Sequence, residues 1–199
     1  MDDHALPRCA WVSADPLYIA YHDHEWGRPL YDGQALFELL CLEGQQAGLS
    51  WLTVLKKRQR YRQAFHGFDP AKVAAMTAED IADLLLDQGL IRNRRKLEAI
   101  VTNARALLAM AQRGEAFSAF IWSFVGGAPL APPEGGWQAL THTSVSDALA
   151  RALKQRGFTF VGTTICYAFM QACGMVNDHM PGCCLYHDAS PVSASGQAR

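Results

Sequence analysis

The chain has 199 residues, half of them apolar and 19% charged, with a net charge of -1. That is enough chain for one well-buried domain and too apolar for intrinsic disorder, while the balanced charge gives no global attraction to nucleic acid. The Met-Asp-Asp-His start lacks the basic-then-apolar order of a secretory signal, so the six cysteines are expected as thiols or metal ligands in the cytoplasm.

In chain order, apolar residues recur at helical spacing from Gln34 to Gln46, and Gly48 ends the run. Ser50 is placed to cap a second helix reaching about Phe65, and Asp69-Pro70 to start a short one. Thr77-Ala-Glu-Asp80 approximates a capping box for a helix ending near Gly89. A long amphipathic helix is expected from Asn93 to Arg113, stopped by Gly114, and another from Ala116 to Val125. Gly126 to His142, with its glycines and prolines, reads as the one long loop. Ser144-Val-Ser-Asp147 is expected to cap a helix closed by Gly157, and Gly162 to Cys173 forms the last helix. The uncharged stretch from Gly157 to Asn177 is too poor in Leu, Ile and Val for a membrane span and reads as buried core. No alternating strand pattern and no internal repeat appear, so the expectation is an all-α fold, one domain over residues 1–199, with residues 188–199 as a flexible tail.

Three local patterns carry chemistry. Cys9-(x12)-His22 near the start and His179-Met-Pro-Gly-Cys183 near the end together offer two thiolates and two imidazoles, the set a four-coordinate structural zinc takes. By spacing alone the four are as readily isolated core or surface groups, and His24, Cys184 and His187 lie near enough to be mistaken for ligands. If all four bind, one ion ties residues 1–30 to residues 176–190. Gly157-Phe158-Thr159-Phe160-Val161-Gly162-Thr163-Thr164 joins two helices through a short turn. Gly162 would let the free amides at the start of the second helix approach a phosphate. Leu49, at the turn after Gly48, is either a core residue or an exposed wedge able to fill the gap left by a displaced nucleotide. Two basic runs, Lys56-Lys57-Arg58-Gln-Arg60-Tyr-Arg62 and Arg92-Asn-Arg94-Arg95-Lys96, read as solvated helix faces unless another feature calls for DNA.

Taken together these patterns resemble the bacterial 3-methyladenine DNA glycosylase I family, within the helix-hairpin-helix glycosylases. The resemblance runs from Arg8 to Tyr186. It is carried by Cys9-Ala-Trp-Val, Asp15-Pro-Leu-Tyr-Ile-Ala-Tyr-His-Asp, Glu25-Trp-Gly, Leu42-Glu-Gly-Gln-Gln-Ala-Gly-Leu-Ser-Trp51, Phe160-Val-Gly-Thr-Thr-Ile-Cys-Tyr167 and Val176-Asn-Asp-His. It implies a helix-hairpin-helix fold with zinc on Cys9, His22, His179 and Cys183, and excision of 3-methyladenine from alkylated double-stranded DNA; a monomer is the expectation, though the sequence itself does not give the oligomeric state. Glu43, otherwise an ordinary surface carboxylate, would then accept a hydrogen bond from the lesion's exocyclic amine and favour its positive charge. Trp11, Tyr18, Tyr21 and Trp51 would stack on the flipped base. Asn177 stands where many relatives in the superfamily carry an acid, and an amide cannot act as a base. Asp178, beside a ligand, is read as orienting that ligand or capping a turn. No dedicated general base is therefore expected, and no lysine follows the hairpin in a position suited to Schiff-base lyase chemistry. The competing expectation is a non-catalytic, zinc-stabilised DNA-binding module, which would have no need of an acid among stacked rings.

Overall fold

The computed structural model describes residues 6–130 and 139–186; the expected tail over 188–199, His187 and the middle of the long loop lie outside the described residues. Among the described residues nine α-helices follow one another: α1 Pro16–His24, α2 Gly33–Gln46, α3 Trp51–Ala64, α4 Pro70–Ala74, α5 Ala78–Leu84, α6 Arg94–Gln112, α7 Phe117–Ser123, α8 Ser144–Gln155 and α9 Thr163–Ala172. The same residues hold no strand, only an isolated parallel bridge between Leu130 and Val176. No described helix is long and apolar enough to cross a membrane.

The helices begin where side chains satisfy their free amides. Asp15 and Asp69 each accept from amides of the next turn, with proline at the first helical position. Ser50 accepts from the Thr53 amide at 3.2 Å, and Asn93 from that of Lys96 at 3.2 Å. Three boundaries differ from the sequence expectation. Helix α1 was not anticipated, because its nine residues bury only Tyr21 and His22 and show no apolar stripe. Helix α5 stops at Leu84 rather than near Gly89; the Asp87 carboxylate holds the Gly89 amide at 2.7 Å and draws the backbone into a turn. The cap of α8 is Thr143, not Ser144: Thr143 Oγ1 accepts from the Ser146 amide, and the Ser146 hydroxyl accepts from the Thr143 amide at 2.8 Å.

Helix α2 runs through the centre. Leu36, Phe37, Leu40, Cys41 and Leu42 are buried on it, and α3, α6, α7 and α9 pack around it. Gly44 lets the α8–α9 turn come close: a Cβ there would lie 3.3 Å from Phe160 Cβ. The hairpin is thereby seated one residue from Glu43. Helix α6 is fastened to both. Asn103 takes the Thr159 amide at 2.8 Å and donates to its carbonyl at 3.1 Å. At the other end of α6, Lys96 donates to the carbonyls of Gln45 at 2.8 Å and Ala47 at 2.6 Å, where α2 ends.

Candidate active site

A cavity of about 340 Å3 opens between α1, the last turns of α2, the start of α3, the second half of α9 and residues 178–180. Its walls include all four expected aromatics, Trp11, Tyr18, Tyr21 and Trp51, together with Glu43. Trp11 and Tyr18 pack with centroids 5.0 Å apart, and Tyr21 and Trp51 at 5.5 Å. The deep part is polar in a particular way. Tyr21 Oη, Trp51 Nε1 and Glu43 Oε2 are buried, and none has a hydrogen-bond partner among the described residues. An unpaired buried polar group costs about 1–3 kcal/mol, so three around one cavity mark a place where a ligand supplies the missing partners. Burial, with no cation nearby, pushes the Glu43 carboxyl up to about 8. The Tyr21 phenol is raised well above its ordinary value, by burial first and the Glu43 charge second.

Among the cavity residues that the sequence reading missed, four are polar or aromatic. Gln46 lies one turn after Glu43 on the same face of α2, which helical periodicity alone could have shown. Trp26, Gln171 and Asp178 are brought in by tertiary packing. Asp178 Oδ2 accepts from Tyr167 Oη at 2.5 Å and Gln171 Nε2 at 2.7 Å, contacts that tie it to α9 at the cavity wall. Asn177 instead shapes the neighbouring loop, accepting from the His179 amide at 3.0 Å.

Cys9, His22, His179 and Cys183 converge behind this wall, all buried, with their donor atoms within 4.8 Å of one another. Cys183 Sγ lies 3.4 Å from His22 Nε2, and His179 Nδ1 lies 3.6 Å from both sulfurs. A tetrahedral ion with metal–sulfur bonds of about 2.3 Å and metal–nitrogen bonds of about 2.0–2.1 Å sets those edges at about 3.6 Å. The surroundings suit such an ion. His22 Nδ1 donates to Asp23 at 2.7 Å, which turns Nε2 to the cluster, and Arg8 clamps the same carboxylate at 2.6–2.9 Å. Amides of Met180 and Leu185 donate to the sulfurs of Cys9 and Cys183 at 3.2 and 3.4 Å. Without a cation, burial pushes the Cys9 thiol up to about 12; a bound cation reverses that by stabilising the thiolate. Gly27, at φ +76°, covers the cluster so closely that a Cβ would lie 2.9 Å from His179 Nε2. His24 and Cys184 are exposed and stand outside the set. The rings of Trp11 and Trp26 pack on His22 and His179 at 5.3 and 4.7 Å, so the cluster also backs the cavity wall.

The hairpin does not present all eight of its residues. Phe158 and Val161 are buried, 2% and 1% exposed, and Phe158 stacks on Phe117, so only their backbone is available outside. Thr163 is turned inward, its hydroxyl donating to Asp147 and lying 3.1 Å from Ser146 Oγ. Phe160, at φ +52°, rests on Gly44, and Gly157, at φ +90°, ends α8. Thr159 and Thr164 are exposed. Gly162 caps α9 without a side chain, and nothing lies within 4 Å of where its Cβ would be, leaving the first amides of α9 open. Leu49 is 42% exposed, so it is a surface residue rather than core. It shares a groove of about 210 Å3 with Glu43, Gln46, Thr164 and Ile165.

A sequence model of the methyladenine glycosylase family matches residues 11–187. The DNA-3-methyladenine glycosylase 1 of Escherichia coli (strain K12) is 61% identical over 187 residues, 94% of this chain and all of that protein. A crystal structure of a 3-methyladenine DNA glycosylase I superposes with a TM-score of 0.84 at 62% identity, covering 89% of this chain and 98% of the other. The Staphylococcus aureus 3-methyladenine DNA glycosylase I, solved for the basis of its 3-methyladenine recognition, gives 0.83 at 44% identity over 90% and 96% of the two chains. With the match running through every residue that lines the cavity and builds the hairpin, the chain belongs to the methyladenine glycosylase family.

Proposed function

We propose that this protein is a monofunctional DNA-3-methyladenine glycosylase of base-excision repair, acting as a monomer on alkylated double-stranded DNA in the cytoplasm. It hydrolyses the N-glycosidic bond of the lesion, frees the base and leaves an abasic site. The observation that carries this reading is the trio of unpartnered polar atoms among aromatic rings. Glu43 accepts from the exocyclic amine of adenine, while Tyr21 Oη and Trp51 Nε1 can donate to its ring nitrogens. The flat faces of Trp11 and Tyr18 offer stacking and attract a cationic base. Methylation at N3 makes the base cationic in DNA and therefore already a good leaving group. Holding it in the geometry of bond cleavage, with water excluded by the rings, is the main task left to the protein. No lysine lines the cavity among the described residues, which supports hydrolysis without lyase chemistry.

Zinc is the ion we assign to Cys9, His22, His179 and Cys183, on the softness and number of the donors. Four protein ligands close the coordination sphere, so the ion holds α1 against residues 179–183 and supplies no chemistry. The six cysteines are all unpaired, in keeping with a reducing compartment.

The deciding experiment is chromatographic detection of 3-methyladenine released from methylated duplex DNA by the purified protein. Duplex binding without release would instead identify a non-catalytic DNA-binding module. Two variants separate grip from recognition. Gly162→Val is sterically allowed, at φ -65° and ψ 161° with open space, so the fold should persist. Its side chain stands before the α9 amides, and losing charge-assisted bonds of about 1.5 kcal/mol should weaken methylated and unmethylated duplex alike by about tenfold or more. Leu49→Ala should slow excision from duplex DNA yet leave binding of the free base intact; equal loss of both would place Leu49 in the fold instead of the DNA.

A further inference from the structure

We propose that Arg92, Arg94 and Arg95 form a second phosphate-binding site, gripping the DNA backbone on the far side of the Leu49 turn from the hairpin. The inference rests on the glycosylase reading and adds a contact surface to it. With a net charge of -1, the protein must hold a polyanion through local patches, and the sequence carries two basic runs. The structure separates them. In α3 the charges are already answered: Lys56 pairs with Asp15 at 2.7 Å, Arg58 with Glu25 at 2.5 Å, Arg60 with Asp87 at 2.5 Å and Arg62 with Glu38 at 2.8 Å. Lys57 donates to the Gln88 carbonyl at 2.7 Å.

The run at the start of α6 is different. Arg92, Arg94 and Arg95 are exposed, and among the described residues Arg92 and Arg95 have no carboxylate partner. Arg94 has only a long contact with Glu98, 3.5 Å, with both side chains 49% exposed. Such a pair yields readily to a phosphate. The fifth member of that run, Lys96, is turned inward and is 6% exposed. Its ammonium bonds to the Ala47 carbonyl at 2.6 Å, directly before Gly48 and Leu49. The start of α6, with its exposed arginines, is thus fastened to the residue that precedes the Gly48-Leu49 turn. Across that turn stand Thr164 and Ile165 of the hairpin helix. Asn103, which clamps Thr159, lies nine residues along α6 from Arg94, or about 14 Å at 1.5 Å per residue. At about 3.4 Å of rise per nucleotide, that span fits about four steps of one strand. The hairpin and the Leu49 turn are therefore both fastened to α6, the helix whose start carries the arginines.

The test is the salt dependence of binding to an undamaged duplex, read by fluorescence anisotropy over a range of NaCl. Arg92→Ala/Arg94→Ala/Arg95→Ala should flatten the plot of log affinity against log salt by about 0.9 for each phosphate no longer neutralised, so by about two to three in all. The three-glutamine version keeps the side-chain stems and should do the same. Lys56→Ala/Lys57→Ala/Arg62→Ala removes the same charge from the answered run and should leave the slope as in wild type. If the α6 and α3 triples change the slope equally, or neither does, the second site is wrong. Normal release of 3-methyladenine with an unchanged slope overturns the second site alone. Failure of the wild type to release the base, with the slope effect intact, overturns the glycosylase reading and leaves the phosphate site standing.

Discussion

Glu43→Gln is expected to slow 3-methyladenine excision by about ten- to a hundredfold or more, and at the same time to stabilise the empty protein at alkaline pH. The first effect follows from removing a charge-assisted hydrogen bond worth about 1.5–3 kcal/mol and an anion facing a cationic base. The second follows from burial. In the empty cavity the Glu43 carboxyl titrates near 8, against 4.5 when unhindered, because nothing among the described residues compensates its charge. The folded state thus holds a proton that the unfolded state has released, and wild-type stability falls as pH rises between those values. At about 1.4 kcal/mol per pH unit, the cost at pH 9 is on the order of 4 kcal/mol, which glutamine escapes. Denaturant melts should therefore show the two proteins alike near pH 4 and the variant more stable at pH 9. A gap that does not change with pH would mean that the empty-state carboxyl is not held neutral. Binding of a cation reverses the preference, so lesion binding should release a proton below pH 8 and weaken as pH falls. Should excision by Glu43→Gln match wild type, the lesion is read elsewhere.

Cys183→Ala should remove the bound metal and most of the protein's stability together. A structural zinc contributes about 10–16 kcal/mol of apparent binding free energy in isolated finger peptides, comparable to the entire stability of a domain. Losing one thiolate leaves His22 and His179 without a ligand partner 3.4–3.6 Å away and opens a buried polar cluster. Elemental analysis should find about one zinc per wild-type chain and far less in the variant, with a lower melting temperature by about 10 °C or more. A metal-free wild type that melts at the same temperature with and without added zinc would sink the assignment. The damage should extend to the cavity, because Trp11 and Trp26 rest on the two histidines.

What could be read in the chain was what obeys local rules. Ligand softness and the short His179–Cys183 spacing pointed to the cluster, and glycine placement pointed to the hairpin. Glu43 became a pocket residue through the family resemblance, and the geometry puts it in the cavity wall. Other features depend on packing between distant segments. Helix α1 has no apolar stripe because one side meets the cluster and another meets the cavity, although Asp15-Pro16 repeats the start signal that revealed Asp69-Pro70. The inward turn of Lys96 was legible in principle: it shares a helical face with Ile100, Asn103 and Leu107, all buried. Which hairpin side chains face inward was not, since a turn has no period from which to read a face. Asp178 and Trp26 enter the cavity through contacts that no local pattern encodes.

The union of the two ends of the chain has a consequence in time. His22 and Cys183 are 161 residues apart in sequence, so at about 5–20 residues per second the ribosome takes on the order of ten seconds or more to deliver the second after the first. Throughout that interval the nascent chain carries Trp11, Tyr18, Tyr21 and Trp26 with only half of the cluster that will back them. A message truncated before codon 179 therefore yields a protein with the hairpin and Glu43 complete, but with its aromatic N-terminus unsecured and exposed to chaperones and proteases.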